Sequence, residues 1–149
     1  MIELTLKLDI VSPNAAGHWA KAHFRNKQNA RIIGSHWLTL PNPKPKPPCK
    51  IYLERIWCKK DKGKAMDYGN LVGALKGVQD SIAALVNPGA VLYYIRKGKR
   101  VKNPGRADDE CDGIEFFYEQ TESNFSAIKI KFFEVEPCLS SNVANVTTK

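Results

Sequence analysis

Residues 66–89, MDYGNLVGALKGVQDSIAALVNPG, decide the reading of the fold. Leu71, Leu75, Val78, Ile82 and Leu85 recur at alternating spacings of four and three, the rhythm of an amphipathic helix. Asn87-Pro88-Gly89 then ends it. With Leu71 at zero and about 100° per residue, the apolar stripe falls within roughly 40° on either side. On the same wheel Lys76, Gly69, Asp80 and Gly73 fall at about 140°, 160°, 180° and 200°, the face opposite that stripe. Each glycine costs a helix about 0.5–1 kcal/mol relative to alanine. Two on one face imply that something approaches the backbone closely, a nucleic acid strand or a partner helix. Asp67, just before the helix, stands where a carboxylate caps the first turn or binds a cation. Lys76 and Asp80 form an i, i+4 pair.

The flanking segments set the class. Ile2 to Asp9 alternates apolar and polar residues like a half-buried strand, and Ser12-Pro13-Asn14 breaks it. His18 to Leu38 reads as a first helix, with Trp19, Ala22, Ala30, Ile33 and Trp37 near one side and Lys21, Arg25 and Arg31 largely elsewhere. The proline-rich run 41–48 (PNPKPKPP) is a stiff connector, because proline fixes φ and lacks a donor. Lys50 to Cys58 is a second strand, Asp61 to Lys64 a turn, and Ala90 to Ile95 a short strand. Arg96 to Arg106 reads as a basic loop without apolar content to fold on. Gly113 to Gln120 and Phe125 to Glu136 read as a hairpin joined through Glu122-Ser123-Asn124. The order β-α-β-α-β-β predicts one two-layer α+β domain over 1–136, with a mixed sheet of about four strands and two main helices. The polar stretch 137–149 reads as a flexible tail.

Composition narrows the function classes. The chain has 149 residues and a formal charge of +8, enough for one domain with an ordinary core. No apolar run approaches the roughly 18–20 residues needed to span a bilayer, and MIELTLKLDI lacks the build of a signal peptide. Residence in the cytoplasm is the expectation, with no membrane partner. Cys49, Cys58, Cys111 and Cys138 form no close pair, which argues against a zinc site and for reduced, packing cysteines. The histidines lack a ligand rhythm as well.

The positive charge is clustered. One group runs from Lys44 to Lys64 and includes Lys59, Lys60, Lys62 and Lys64. The other comprises Arg96, Lys97, Lys99, Arg100, Lys102 and Arg106, with no acid between. Such patches neutralise phosphates and release counterions, so both are candidate DNA-binding groups. Solubility alone, or an acidic protein partner, is the rival account. Directly after the second group stands Asp108-Asp109-Glu110-Cys111-Asp112. An exposed carboxylate cluster suits a hard cation, and phosphodiester cleavage uses such ions to activate water and stabilise the leaving oxygen. A solvated acidic loop is the bland alternative.

These pieces resemble the RusA-like Holliday junction resolvases, common in phages and prophages. That family carries D-x-D-N-L, then a lysine and an aspartate four residues apart, and later an Asp-Asp pair before a strand. Here stand Asp67-Tyr68-Gly69-Asn70-Leu71, Lys76 with Asp80, and Asp108-Asp109 leading into Gly113 to Gln120. Pro13-Asn14 followed by His18-Trp19 is similar to phage members too, and the likeness extends to about Glu136. The resemblance implies a homodimer that binds four-way DNA junctions and cuts them with Mg²⁺ or Mn²⁺, without a small-molecule cofactor. It implies metal ligands at Asp67 and at Asp109 or Asp108, Asp80 as a further catalytic carboxylate, and Lys76 on phosphate. Gly69 departs from the pattern, for it stands where the family has its second aspartate.

Three functions follow as expectations. The first is a metal-dependent endonuclease acting in DNA recombination and repair. The second is a catalytically weak relative that binds branched DNA, which Gly69 favours. The third is a structural or adaptor protein using its basic segments on protein partners.

Overall fold

The computed structural model describes residues 1–14, 17–88, 91–107 and 113–135, of which 18–20, 91–94 and 102–107 are described by backbone alone. The elements are β1 (Ile2–Leu6), α1 (His18–Thr39), β2 (Cys49–Trp57), a 3₁₀ turn (Lys59–Asp61), α2 (Tyr68–Val86), β3 (Val91–Arg96), β4 (Lys99–Ala107), β5 (Ile114–Glu122) and β6 (Ala127–Glu134). A four-stranded sheet has the order β1-β6-β2-β5, and β3 pairs with β4 in a separate two-stranded ribbon. Only β2–β5 is parallel in the larger sheet. The expected α+β class, with a mixed four-stranded sheet and two main helices, is the architecture observed. The predicted tail 137–149 lies outside the described residues.

The core is the set of residues the alternation picks out. Ile51 and Leu53 of β2, Ile128, Ile130 and Phe132 of β6 and Leu6 of β1 face one side of the sheet. Ile33 and Trp37 of α1 and Leu71, Leu75, Val78, Ile82 and Val86 of α2 close over them. The Trp37 ring meets Phe132 edge-on, 5.9 Å between centroids, a favoured aromatic geometry. Cys49 and Cys58 are buried free thiols. β1 ends before Asp9 because that segment turns to α1, where Asn29 donates Nδ2 to the Asp9 carbonyl at 2.7 Å. Arg25 pairs with the Asp9 carboxylate at 2.8 Å.

Two expectations are overturned. β5 and β6 do not form a hairpin: β6 inserts between β1 and β2, and β5 lies parallel on the far side of β2. The link Ser123–Ser126 rounds the end of β2, where Ser123 donates its N–H to the Trp57 carbonyl at 2.8 Å. Four residues suffice, since crossing one strand covers about 10 Å. The physical reason is burial, for β6 carries the more deeply buried face and takes the centre. The basic stretch from Arg96 is not a loop but the tip and second arm of the β3–β4 ribbon. Its turn, Lys97-Gly98, places both residues at positive φ, 51° and 75°, the two-residue geometry that matches strand twist. Backbone pairing supplies what apolar side chains do not.

Among the described residues, no helix is long and apolar enough to cross a membrane.

Candidate functional site

Asp67 is the N-cap of α2. One carboxylate oxygen accepts the Asn70 backbone N–H at 2.9 Å, and the other accepts Asn70 Nδ2 at 2.7 Å. The helix dipole favours a negative group at this end. The segment leading into it is latched to the sheet: Met66 donates its N–H to Gln120 Oε1 at 3.0 Å, and Gln120 Nε2 donates back to the Met66 carbonyl. Arg55 reaches the Lys64 carbonyl at 2.8 Å and Gln120 at 3.3 Å, and its burial lowers its pKa. The exposed Asp67 carboxylate is thereby held one residue on from a segment fixed to the paired Arg55 and Gln120 of β2 and β5. Tyr68 beside it is 65% exposed and meets the Tyr118 ring edge-on at 6.3 Å.

Gly69 leaves open space next to this carboxylate. A Cβ there would meet only Asp67 Oδ1, at 3.5 Å, an ordinary contact. The backbone at this position thus has room for a side chain to begin beside Asp67. Gly73 is different: its absent side chain makes room for Pro13, whose Cγ lies 2.6 Å from the Cβ position. The helix is approached closely, as the glycines imply, and at Gly73 the approach is by this chain's own N-terminal segment.

Asp80 does not lie on an open face. It is 7% exposed, because α2 is enclosed by the sheet, α1 and β4. Lys76 holds it at 3.2 Å. Thirteen positions separate Asp67 from Asp80, so the helix rise puts them about 20 Å apart. Two carboxylates sharing an ion of roughly 2 Å contact distance cannot be that far apart, and Asp80 is not a co-ligand of Asp67 in one chain. Lys76 belongs to the Asp80 end, about 13 Å along the axis from Asp67. Nearby, Tyr118 donates its hydroxyl to Gln79. Burial, with Tyr68 and Asp80 adding negative charge, raises the Tyr118 pKa.

Lys59, Lys60, Lys62 and Lys64 are exposed on the turn that runs directly into Asp67. Lys59 also pairs with Glu122 at 3.4 Å. Arg96, Lys97, Lys99 and Arg100 are exposed at the ribbon tip, and β4 of that ribbon lies along α2. Lys102 and Arg106 fall on β4, where only the backbone is described. Asp108 and Asp109 lie outside the described residues, as does the separation of Asp67 from them.

Among the described residues no three of histidine, cysteine, aspartate and glutamate come together as a metal group. Asp67 has the right donor chemistry for Mg²⁺, which binds through one or two carboxylates and keeps several waters. The described residues supply one such oxygen donor here and not a complete set. Sequence reading carried Asn70 as a piece of the D-x-D-N-L match, and it gave no role to Gln120 or Arg55. Asn70 had a local signal, three residues after Asp67, whereas Gln120 and Arg55 meet the site only through the fold. Compared with models of protein families, with curated proteins and with solved structures, the chain matches none.

Proposed function

We propose that this chain is a structure-selective DNA endonuclease of the RusA-like kind, which resolves four-way junctions by divalent-metal-dependent hydrolysis. One observation carries the reading: an exposed carboxylate, Asp67, fixed at a helix start, directly follows an exposed lysine turn. Lysines hold phosphates by charge, and a carboxylate among them can face the backbone of a strand. Mg²⁺ or Mn²⁺, when bound, supplies the activated water and stabilises the leaving oxygen. Asp67 is its first candidate ligand, with Asp108 or Asp109 the second. The chain's own part is to position the strand: Lys59 to Lys64 on one side, Asn70 orienting the carboxylate, Gln120 and Arg55 fixing the approach to the helix. Homodimerisation belongs to the same reading.

The test is cleavage of a synthetic four-way junction across a Mg²⁺ and Mn²⁺ series. The wild type cuts, and Asp67→Asn binds without cutting. An intact junction under every metal condition removes the enzyme. A second reading, a branched-DNA binder with little or no turnover, is favoured by two features. Gly69 supplies no side-chain oxygen, and both Asp67 oxygens already accept from Asn70. It predicts salt-sensitive junction binding without product.

A further inference from the structure

The β3–β4 ribbon is built at odds with its own stability. Arg96 and Lys99 are direct cross-strand partners, and like charges placed opposite each other destabilise a ribbon. Ile95 is paired with Arg100 and is 71% exposed, a β-branched apolar side chain left in water. The sequence from Val91 to Ala107 contains no acidic residue. The strand partners sort the tip into two faces, since directly opposed residues share a side. Ile95 and Arg100 are on one, Arg96 and Lys99 on the other. The Lys97-Gly98 turn is tight, and β4 is braced along α2, so the tip projects from a supported base.

We infer that this ribbon is a DNA-inserting arm, whose cations straddle the phosphates while Ile95 packs on bases exposed at a branch point. Cross-strand repulsion at Arg96–Lys99 is relieved when phosphates surround it, and Ile95 loses its water contact against a base face. A two-stranded ribbon fits a major groove of about 12 Å, and apolar side chains that enter a base step unstack it. In a continuous duplex every base is stacked on both faces, so Ile95 could enter only by unstacking a step. A branch point offers phosphates together with bases at the end of a stack, which is where Ile95 gains. The inference rests on the DNA-binding half of the function proposed above and not on cleavage.

Two variants and two substrates test it. Ile95→Thr keeps the β-branched shape at an exposed position and removes the apolar end, so the ribbon stays paired. A four-way junction carrying 2-aminopurine at the branch, and a linear duplex of equal length, are titrated by fluorescence and anisotropy. The wild type should brighten the branch probe and prefer the junction. Ile95→Thr should lose the brightening and about tenfold of the junction preference, with duplex affinity unchanged. Arg96→Gln with Lys99→Gln should weaken both substrates and flatten the log–log salt slope by about 0.9 per lost phosphate contact. Unchanged branch fluorescence and junction preference in Ile95→Thr overturn the arm. A wild type that binds junctions with this signature but never cuts them sinks the nuclease alone. A wild type that binds neither substrate sinks both.

Discussion

The Pro13 ring lies where a side chain on Gly73 would begin, its Cγ 2.6 Å from the Cβ position. Proline cannot swing aside as a flexible side chain does. Gly73→Ala should therefore destabilise the protein by about 1–3 kcal/mol, the usual cost of overpacking. Gly69→Ala, with open space around it, should stabilise it by about 0.5–1 kcal/mol. Urea unfolding of the two variants checks the contrast. Equal effects would mean that Pro13 yields freely.

Capping and charge at Asp67 separate by substitution. Asparagine caps a helix about as well as aspartate, whereas alanine costs about 1 kcal/mol. Asp67→Asn should unfold at nearly the wild-type midpoint, while Asp67→Ala should fall by about that amount. Loss of junction cleavage in the asparagine variant then reports the carboxylate and not the fold.

Gly69→Asp adds a second carboxylate next to Asp67 at a position where the new Cβ meets no clash. In the first turn of α2 it also gains from the helix dipole, about 0.3–1 kcal/mol. Cleavage in Mg²⁺ should rise about tenfold or more, equivalent to about 1.4 kcal/mol off the barrier. Junction cleavage rates at saturating protein measure it. No increase would mean that the absent oxygen does not limit turnover.

Alkaline stability should fall early. Burial, and then Glu134, push the Cys49 thiol up from 9.0 to about 11, and Tyr118 is also raised from its ordinary 10.0. Both groups are neutral in the fold. Their folded pKa values exceed the unfolded ones, so the stability they contribute is complete below about pH 9 and drains away as pH climbs through 11. Urea midpoints between about pH 8 and 11 should decline, and decline less in Cys49→Ala. Separately, Tyr118→Phe leaves Gln79 without its partner and should cost about 1–3 kcal/mol at neutral pH.

Local pattern reached far into this fold, and stopped where partners are chosen. The alternation at Ile128, Ile130 and Phe132 and the four-three rhythm from Leu71 to Leu85 made the strands and α2 readable. Which strand lies beside which was not, because β6 finds β1 and β2 through contacts distant in sequence. Asp80 was misplaced for a related reason. A helical wheel reports the stripe that meets the sheet, and it is blind to α1 and β4 closing on the other sides. The ribbon was missed because its register comes from backbone pairing, and Gly98 after Lys97 was its one local sign. Asp67 was legible as a cap or ligand because it is adjacent to the helix it serves. Gln120 and Arg55 were not, since neither carries a local mark of its role.

The position of β6 between β1 and β2 has a bearing on biosynthesis. Among the described strands, β1 is the earliest in the chain and its sheet partner β6 the latest, so β1 waits while nearly everything between them is made. Until Ala127 to Glu134 emerge, the apolar sides of β1 and β2 have no strand between them. Nascent chains halted before that point should be prey to chaperones and proteases. Such a chain would gain its protection late and in a single step, as β6 slots home.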